Sequence, residues 1–501
     1  MFIKINGADV EANPGENILD AARREGIEIP TLCQFDGYEN GVCRLCMVEA
    51  NNGGRLVPSC STRVSEGMEI KTESEKISSY RRNLLSLLMK NHGSHDELKE
   101  EKCSLHAMAR QYGVDVAPEI TVAGAVDATH PAIQYDPGLC IACRRCLIAC
   151  DEEQNNDVIA IYGRGAGTRI SFDANTPMGG SSCTTCGACV DACPTGAIIE
   201  KTWEPAERTE ISTCPYCAVG CTVEYGINGN NIVWARGIKG EGVNDGKLCV
   251  KGKFGYEFEM SADRLLKPLI RKEGVERGPL NGRAVGDVFR EASWNEALDL
   301  LAKKISDTRK RYGKKAVAGI ASDRATNEDV FALQKLMRAG LGVDNVDQSA
   351  TLCHSPSAAM LSWALGAGAA TNPMGDVFKS RTIMVVGSNT DRAHPVLSSY
   401  IKKAAEKGAH LIVVDPRKVE LAHRSDTFLQ IRPGTDTYLF SAMARYIIEN
   451  NLHDREYIEK YSEGFDEFVE SLKNFDLKTA EKLTGIPAVR ISEVADRKSV
   501  V

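Results

Sequence analysis

The spacing of the cysteines constrains this chain more than any other feature of its sequence. Of its 18 cysteines, all but Cys103 and Cys353 fall into four successive groups of four. We expect no secretory signal, because a strand is predicted from residue 2 onward, and clustered thiols in such a chain favour metal binding over disulfides. The N-terminal half is therefore predicted to hold a series of iron–sulfur clusters.

The first group predicts a 2Fe-2S cluster in a ferredoxin-type β-grasp domain. Residues 2–5 alternate as a strand does, and Asn6-Gly7 marks a turn. Soft ligands that converge from one long loop and a later strand suit a small cluster. Structural zinc is the alternative, although zinc sites more often use two C-x-x-C pairs. The predicted ligands are Cys33, Cys43, Cys46 and Cys60.

The second and third groups repeat the ferredoxin pattern C-x2-C-x2-C-x3-C. In ferredoxins with two clusters, the fourth cysteine of each run ligates the other cluster. Two 4Fe-4S centres are therefore predicted, one on Cys140, Cys143, Cys146 and Cys193, and the other on Cys183, Cys186, Cys189 and Cys150.

The fourth group is a short loop with one distant cysteine and predicts a third 4Fe-4S cluster on Cys214, Cys217, Cys221 and Cys249. This loop, its distant cysteine and Lys251 resemble the start of the molybdopterin oxidoreductases, and within them the catalytic subunit of cytoplasmic formate dehydrogenases. The resemblance implies a molybdenum or tungsten centre held by bis-molybdopterin guanine dinucleotide. It also implies that electrons leave this centre by way of Lys251.

The pair Cys353-His354 carries the chemistry that the resemblance implies. In the family, a cysteine or selenocysteine here ligates the metal, and the adjacent histidine helps to move the proton released when formate becomes carbon dioxide. A soft thiolate suits a sulfur-rich metal centre, and an imidazole titrates near neutrality. Without the family-like flanking residues, an ordinary buried cysteine and a surface histidine would be the favoured interpretation.

Three loops resemble the pterin-nucleotide loops of the family. A strand ending at Val386, a helix over 397–407 and a strand over 411–414 form one predicted unit. Polar loops after such strands lie at the carboxyl edge of a parallel sheet, where nucleotides bind. The predicted contacts are Gly387, Ser388, Asn389, Asp415, Pro416, Arg417, Gly434 and Asp436.

A chain of 501 residues is too long for one compact domain. The predicted fold class is multidomain, with a β-grasp 2Fe-2S domain, a double 4Fe-4S ferredoxin-like α+β domain and an incomplete α/β molybdopterin-oxidoreductase core. A helix capped by Ser293 and a strand over 316–321 support the α/β assignment. The predicted boundaries are 1–78 for the β-grasp domain, 79–118 for a helical linker, 119–206 for the double-cluster domain, 207–264 for the fourth cysteine group and 265–501 for the partial core.

Composition and resemblance together limit the partners. A net charge of -7 offers nucleic acid no basic surface. No apolar run reaches the length of a membrane span, so we expect a cytoplasmic protein without membrane insertion, and its many oxidisable thiolates suggest an anaerobic cell. The resemblance implies formate or carbon dioxide as substrate, and a hetero-oligomer with a flavin-bearing NADH-oxidoreductase subunit or a ferredoxin that docks near the Cys33 cluster.

The sequence departs from the family in two places. Relatives hold a further 4Fe-4S cluster with one histidine and three cysteines between Asn91 and Gly113, where this chain has only His92 and Cys103. We expect that cluster to be absent; His95 and His106 could add ligands, but scattered charges favour a solvated helix.

The second departure is the C-terminal end. Relatives continue for several hundred residues and supply an active-site arginine and a barrel-like domain. Residues 497–501 are predicted to break the last helix, which suggests a gene break or a fragment.

The favoured function is the N-terminal part of a molybdenum- or tungsten-dependent formate dehydrogenase α subunit, acting in either direction. The alternative is a non-catalytic electron-transfer subunit that resembles the large iron–sulfur subunit of respiratory complex I. A third possibility is another oxidoreductase of the superfamily, such as a nitrate reductase, which the Cys-His pair disfavours.

Overall fold

The computed structural model describes residues 1–35, 37–51, 54–95, 97–119 and 124–498. The chain forms two compact units, one made of Met1–Tyr256 with Met374–Val501 and the other of Glu257–Pro373. Each unit is described by itself. Within the described ranges, no helix combines the length and apolar character that crossing a bilayer requires.

The chain begins with a β-grasp domain. Asn6 and Gly7 adopt φ angles of 53° and 86°, which suits the tight turn of the first hairpin. The five strands form one mixed sheet in the order β2-β1-β5-β3-β4, in which β1 pairs with β5 in parallel. Helix α1 begins at Asn17, whose side chain accepts a hydrogen bond from the Asp20 amide, and packs four buried residues on the sheet. The elements are β1 (Phe2–Ile5), β2 (Ala8–Glu11), α1 (Ile18–Arg24), β3 (Met47–Ala50), β4 (Arg55–Pro58) and β5 (Glu69–Lys71).

Three helices follow the β-grasp domain. The first helix is capped by Ser74, whose Oγ accepts from the Ile77 amide at 3.2 Å. The buried Arg81 of this helix donates to the carbonyls of Leu45 and Met47, so the helix is tied to the loop that carries Cys43 and Cys46. The linker helices are α2 (Glu75–Lys90), α3 (Glu97–Glu100) and α4 (Ser104–Gln111).

The double-cluster domain shows the internal repeat that its sequence predicts. Each C-x2-C-x2-C loop turns through a left-handed residue, Arg144 in the first and Gly187 in the second, directly before a short helix. Strand β6 pairs with β9 and β7 with β8, both antiparallel. The elements are β6 (Ile133–Tyr135), α5 (Arg145–Ile148), β7 (Ile159–Tyr162), β8 (Arg169–Phe172), α6 (Ala188–Ala192) and β9 (Ile198–Glu200).

The fourth cysteine group lies on a small antiparallel sheet. Cys214 and Cys221 follow β10 and precede β11, and the amide of Cys214 donates to the carbonyl of Cys221 at 2.9 Å. Cys249 caps the short helix that contains Lys251. The elements are β10 (Arg208–Thr213), β11 (Thr222–Asn228), β12 (Asn231–Arg236) and α7 (Val250–Phe254).

The second unit consists of two small sheets and several helices. Ser293 caps helix α9 as predicted, with its side chain accepting from the Glu296 amide. The predicted strand over 316–321 is shorter, because residues Lys314–Ala316 form a 3-10 turn and only Gly319–Ala321 pairs, in parallel, with β16. The elements are β13 (Leu269–Arg271), α8 (Val285–Val288), β14 (Phe289–Glu291), α9 (Trp294–Tyr312), β15 (Gly319–Ala321), α10 (Asn327–Lys335), β16 (Val346–Gln348), α11 (Ala350–Cys353) and α12 (Ser355–Leu365).

The chain then returns to the first unit with a parallel sheet in the order β17-β18-β19. The central strand is apolar and buried from Leu411 to Val414, as expected when helices cover both faces. The final helix ends at Lys498, and residues 499–501, part of the predicted helix break, lie outside the described residues. The elements are β17 (Thr382–Val386), α13 (Thr390–Ala393), α14 (Pro395–Glu406), β18 (His410–Val414), β19 (Thr427–Leu429), α15 (Asp436–Glu449), α16 (Arg455–Tyr461), α17 (Phe465–Ser471), α18 (Leu477–Thr484) and α19 (Ala488–Lys498).

Candidate functional site

The four cysteines of the first group lie together beside the β-grasp sheet, and all are buried. Sγ of Cys46 lies 3.4 Å from Sγ of Cys60, and the amide of Cys43 donates to Sγ of Cys33 at 3.4 Å. The neighbouring thiol of Cys33 lowers the pKa of Cys43 to about 6. The amide donor at Cys33 and the lowered pKa of Cys43 favour thiolate, the form that ligates metal, while the thiols of Cys43 and Cys46 raise the pKa of Cys33 and Cys60. Four buried sulfurs that lie together fit an iron–sulfur cluster.

The next eight cysteines divide into two sets, and each set lines one small cavity. Cys140, Cys143 and Cys146 share the first cavity with Cys193, and the second is lined by Cys183, Cys186, Cys189 and Cys150. The fourth cysteine of each run therefore faces the other run, which is the exchange expected from the spacing.

Burial raises the pKa of Cys143 and that of Cys150 to about 12. At neutral pH these thiols lose their protons when a metal is bound, because the metal stabilises the thiolate. Small cavities lined by four sulfurs fit 4Fe-4S clusters.

Cys249 of the fourth group lines a cleft of about 570 Å³. Lys251 lines this cleft beside Cys249, and its Nζ donates to the carbonyl of Arg392 at 3.2 Å. Cys183 and Cys186 line the same cleft. Lys251 thus lies between Cys249 and α13, the short helix after the loop that follows β17.

Direct contacts also join the β-grasp domain to the double-cluster domain. The side-chain amide of Asn40 donates to the carbonyl of Cys33 at 3.1 Å and to that of Cys143 at 3.0 Å. Cys33, Cys43 and Cys143 belong to one buried cluster of side chains. The four cysteine groups therefore form a continuous series from the β-grasp domain to the cleft.

The predicted pterin loops lie at one edge of the parallel sheet. Gly387 follows β17 with φ of 57°, and a Cβ there would meet no atom within 4 Å. Asp415 follows β18 and is 4% exposed, and its Oδ1 accepts from the Arg417 amide at 2.8 Å. Gly434 lies in the loop after β19, with φ of 77°.

Polar atoms at this edge support a ligand there. Oδ1 of Asn389 and Oγ1 of Thr390 are buried without a hydrogen-bond partner in the structure. Because buried polar atoms in folded proteins are nearly always paired, these two mark a place where a polar ligand would be accommodated. The residues at this edge therefore fit a nucleotide-bearing group such as a molybdopterin dinucleotide.

Cys353 and His354 lie in the second unit, where Cys353 ends α11 and His354 separates it from α12. Cys353 is exposed, and its amide donates to the carbonyl of Ser349 at 3.2 Å. An exposed thiol at a helix end is accessible to a metal.

The linker differs from the prediction at the histidines. His92, His95, Cys103 and His106 each offer a ligand atom, and these atoms all lie within 4.8 Å of one another. A solvated helix is therefore the wrong interpretation for His95 and His106, because the turn after α2 folds back onto α4 and partly buries both rings. The sequence signal for this group is its spacing, H-x2-H and C-x2-H. That signal is easily missed when the segment is compared only with the cluster of one histidine and three cysteines in the relatives.

The comparisons with known proteins agree with this arrangement. Residues 264–481 match the molybdopterin oxidoreductase family, and 207–261 match the molybdopterin oxidoreductase Fe4S4 domain. Residues 2–75 match a 2Fe-2S iron-sulfur cluster binding domain, and 139–197 match a 4Fe-4S dicluster domain. These matches confirm the predicted fold class.

Curated relatives carry matching names. "Putative formate dehydrogenase YrhE" of Bacillus subtilis (strain 168) is 31% identical over 99% of this chain and 54% of its own length. "Putative formate dehydrogenase SAB2186c" of Staphylococcus aureus (strain bovine RF122 / ET3-1) is 29% identical with the same coverage. The chain spans about half the length of these relatives.

Two solved structures are also similar. A crystal structure of NAD+-reducing [NiFe]-hydrogenase in the H2-reduced state is 30% identical, with a TM-score of 0.37 over 40% of this chain and 88% of that chain. Acetylene hydratase from Pelobacter acetylenicus is 24% identical, with a TM-score of 0.45 over 57% of this chain and 38% of that chain.

Proposed function

We propose that this chain, a molybdopterin oxidoreductase with iron–sulfur domains, is the electron-transferring and metal-binding part of a formate dehydrogenase. The observation that carries the proposal is the continuous series of four cysteine groups that ends beside Lys251 and the pterin-type sheet edge. The names of the curated relatives supply the substrate, formate. The reaction converts formate to carbon dioxide, one proton and two electrons, or runs in reverse.

Each part of the proposed reaction is assigned to particular residues. A molybdenum or tungsten bis-molybdopterin guanine dinucleotide, when bound, supplies the two-electron chemistry, and iron–sulfur clusters on the cysteine groups supply one-electron transfer. Cys353 would ligate the metal, and His354 would accept the proton that leaves formate. The loops that follow β17, β18 and β19 would hold the two nucleotides through backbone donors and the side chains of Asn389 and Asp415.

Lys251 would bridge the catalytic centre and the fourth cysteine group. Its ammonium group lies in the cleft between α13 and Cys249, where a fixed cation stabilises an anionic ligand. At the other end of the series, we propose that a flavin-bearing NADH-oxidoreductase subunit or a ferredoxin docks near the Cys33 group, because that group terminates the series.

Catalysis is proposed to need further protein beside the second unit. Leu352 is 95% exposed, Trp363 84% and Ile320 80%. Large apolar side chains exposed in the unit that carries Cys353 support a covering surface, supplied by the same polypeptide or by another chain.

The test replaces Cys353 by Ala in the complete anaerobic enzyme and measures formate-dependent reduction of a viologen dye. We expect turnover to fall by at least a hundredfold, while iron content and the electron paramagnetic resonance signals of the dithionite-reduced clusters stay unchanged. The matched control is Ser362→Ala, an exposed position in α12, which should keep full activity. Retained activity in Cys353→Ala would overturn the assignment.

A second candidate is a non-catalytic electron-transfer subunit, which the exposure of Cys353 favours. Elemental analysis of the purified chain distinguishes the two. One 2Fe-2S and three 4Fe-4S clusters predict about 14 irons in both cases, but only the catalytic function predicts near-stoichiometric molybdenum or tungsten.

A further inference from the structure

We propose that the histidine-rich turn of the linker binds one tetrahedral metal ion, best matched by Zn²⁺. The site consists of His92, His95, Cys103 and His106, whose ligand atoms lie within 4.8 Å of one another. It is separate from the four cysteine groups and from the pterin-type loops.

Two short segments bring the ligands together. The amide of His92 donates to the carbonyl of Met89 at 3.0 Å, so this ligand directly follows the last turn of α2. Cys103 is the N-cap of α4, and His106 lies one helical turn further on, so both face the same side. His92 and Cys103 are buried, at 1% and 0% exposure, which fixes two of the ligands within the protein interior.

The distances between ligand atoms match a single ion. Nε2 of His92 lies 2.9 Å from Nε2 of His95 and 3.4 Å from Sγ of Cys103, and Nδ1 of His106 lies 3.2 Å from the same sulfur. Zinc bonds of about 2.0 Å to nitrogen and about 2.3 Å to sulfur place tetrahedral ligand pairs about 3.3 to 3.6 Å apart. These three separations need changes of a few tenths of an ångström, and the remaining ligand atoms lie within 4.8 Å of one another.

Hydrogen bonding alone explains this group poorly. Nε2 of His92 has two partners, His95 and Cys103, yet a neutral ring nitrogen carries either one proton or one lone pair. It cannot serve both contacts at full strength. A cation at the centre satisfies all the nitrogen lone pairs and the thiolate at once.

The donor set and its small span also disfavour an iron–sulfur cluster. Such clusters are bound mainly by thiolates, each attached to a different corner or iron. Here three imidazoles and one thiolate converge on one point, and imidazole with a single thiolate suits Zn²⁺ among the first-row ions. Because Zn²⁺ has no accessible redox step, the proposed role is structural.

The position of the site defines what the ion would hold together. The Gly93 amide donates to the Gly138 carbonyl at 2.8 Å, and the Ser104 amide donates to the Pro194 carbonyl at 2.7 Å. The two segments that carry the ligands are thus hydrogen-bonded to loops next to Cys140 and Cys193. The ion would join the linker to the double-cluster domain and fix its position against the first of the two 4Fe-4S sites.

The experiment measures zinc and iron per chain in the anaerobically purified full chain after treatment with a mild chelator. We expect about one zinc in the unaltered protein, and its loss in Cys103→Ser and in the His95→Ala, His106→Ala double variant, with iron unchanged. The matched control is His453→Ala, a histidine outside the site, which should keep its zinc.

Cobalt replacement provides a readout that a folding defect cannot imitate. Exchange of the unaltered chain with Co²⁺ should give intense tetrahedral d–d bands and a thiolate-to-cobalt charge-transfer band, which identifies a cysteine ligand. Both should be absent from Cys103→Ser, which is expected to lose the metal. Zinc that is absent from the unaltered chain, or equal in all variants, would overturn the proposal. Loss of several irons per chain in Cys103→Ser would instead indicate a cluster and would also overturn it.

Discussion

Removal of the buried ammonium group of Lys253 tests how the iron–sulfur domains are joined. Nζ of Lys253 donates to Oδ1 of Asp191 at 2.7 Å, to Oε1 of Glu200 at 2.5 Å and to the carbonyl of Ala235 at 2.6 Å. Lys253 and Glu200 are each 1% exposed. The side chain starts from α7, beside the fourth cysteine group, and reaches into the double-cluster domain, so it is an electrostatic link between the two.

The variant Lys253→Met keeps the apolar stem and removes the charge. Glu200 is then left buried without the cation that is hydrogen-bonded to it, and loss of one partner from a buried ion pair costs roughly 3–5 kcal/mol. We expect the local free energy of opening of residues 188–200 to fall by this amount. It corresponds to at least a hundredfold loss of amide protection, because about 1.4 kcal/mol equals one factor of ten.

The loss of amide protection in Lys253→Met should grow with pH. Burial raises the pKa of Glu200 above its ordinary value although Lys253 opposes the shift, and removal of Lys253 raises that pKa further. A carboxyl group whose pKa is higher in the folded state stabilises the fold below its unfolded pKa, and this contribution is lost as the pH rises through the folded value. The variant should therefore be closer to the unaltered protein at pH 5 than at pH 8.

Hydrogen–deuterium exchange of the anaerobic chain, corrected for intrinsic exchange at each pH, measures this effect. The double variant Lys253→Met, Glu200→Gln should recover part of the protection, since it no longer buries an unpaired charge. Lys473→Met, which removes an exposed pair with Glu470, should change protection by less than about fivefold. Unchanged protection in Lys253→Met would refute the reasoning.

Two further substitutions test the cluster loops. Arg81→Met removes the side-chain donors to the carbonyls of Leu45 and Met47, at a cost of roughly 1–3 kcal/mol each. We therefore expect a weaker and broader electron paramagnetic resonance signal from the 2Fe-2S cluster, which Arg81→Lys does not restore. An unaltered signal would contradict this role. Gly187→Ala would place Cβ 2.5 Å from Cγ of Lys253 at a φ of 77°, so one of the two 4Fe-4S signals should weaken while the other persists, and equal signals would show that the loop adapts.

Local sequence patterns accounted for much of the fold. Asn6-Gly7 predicted the first hairpin, Ser293 predicted the start of α9, and the strand-loop pattern around Gly387 predicted part of the parallel sheet. These features depend on neighbouring residues and on side-chain periodicity, so they are visible without tertiary information. Strand β15 was predicted too long because Ala316, Val317 and Ala318, which precede it, are as apolar as strand residues.

The histidine site shows where sequence reasoning failed. His95 and His106 looked like solvated residues because the charges around them are typical of an exposed helix. Their ligand atoms meet only because the turn after α2 folds onto α4. Both of these segments are hydrogen-bonded to loops of the double-cluster domain. No local pattern encodes that contact, since it depends on residues 138 and 194 far along the chain.

The sequence by itself determined the number of four-cysteine groups and the order of the domains, because thiolate spacing within a short loop limits which metal sites can form. Apart from the exchange between the second and third groups, which the spacing predicts, the tertiary structure decided which groups are neighbours. It placed Asn40 between Cys33 and Cys143, put Lys251 in the cleft beside Cys249, and buried Lys253 between two domains. Such contacts form between segments distant in sequence, whose approach depends on the packing of the whole unit.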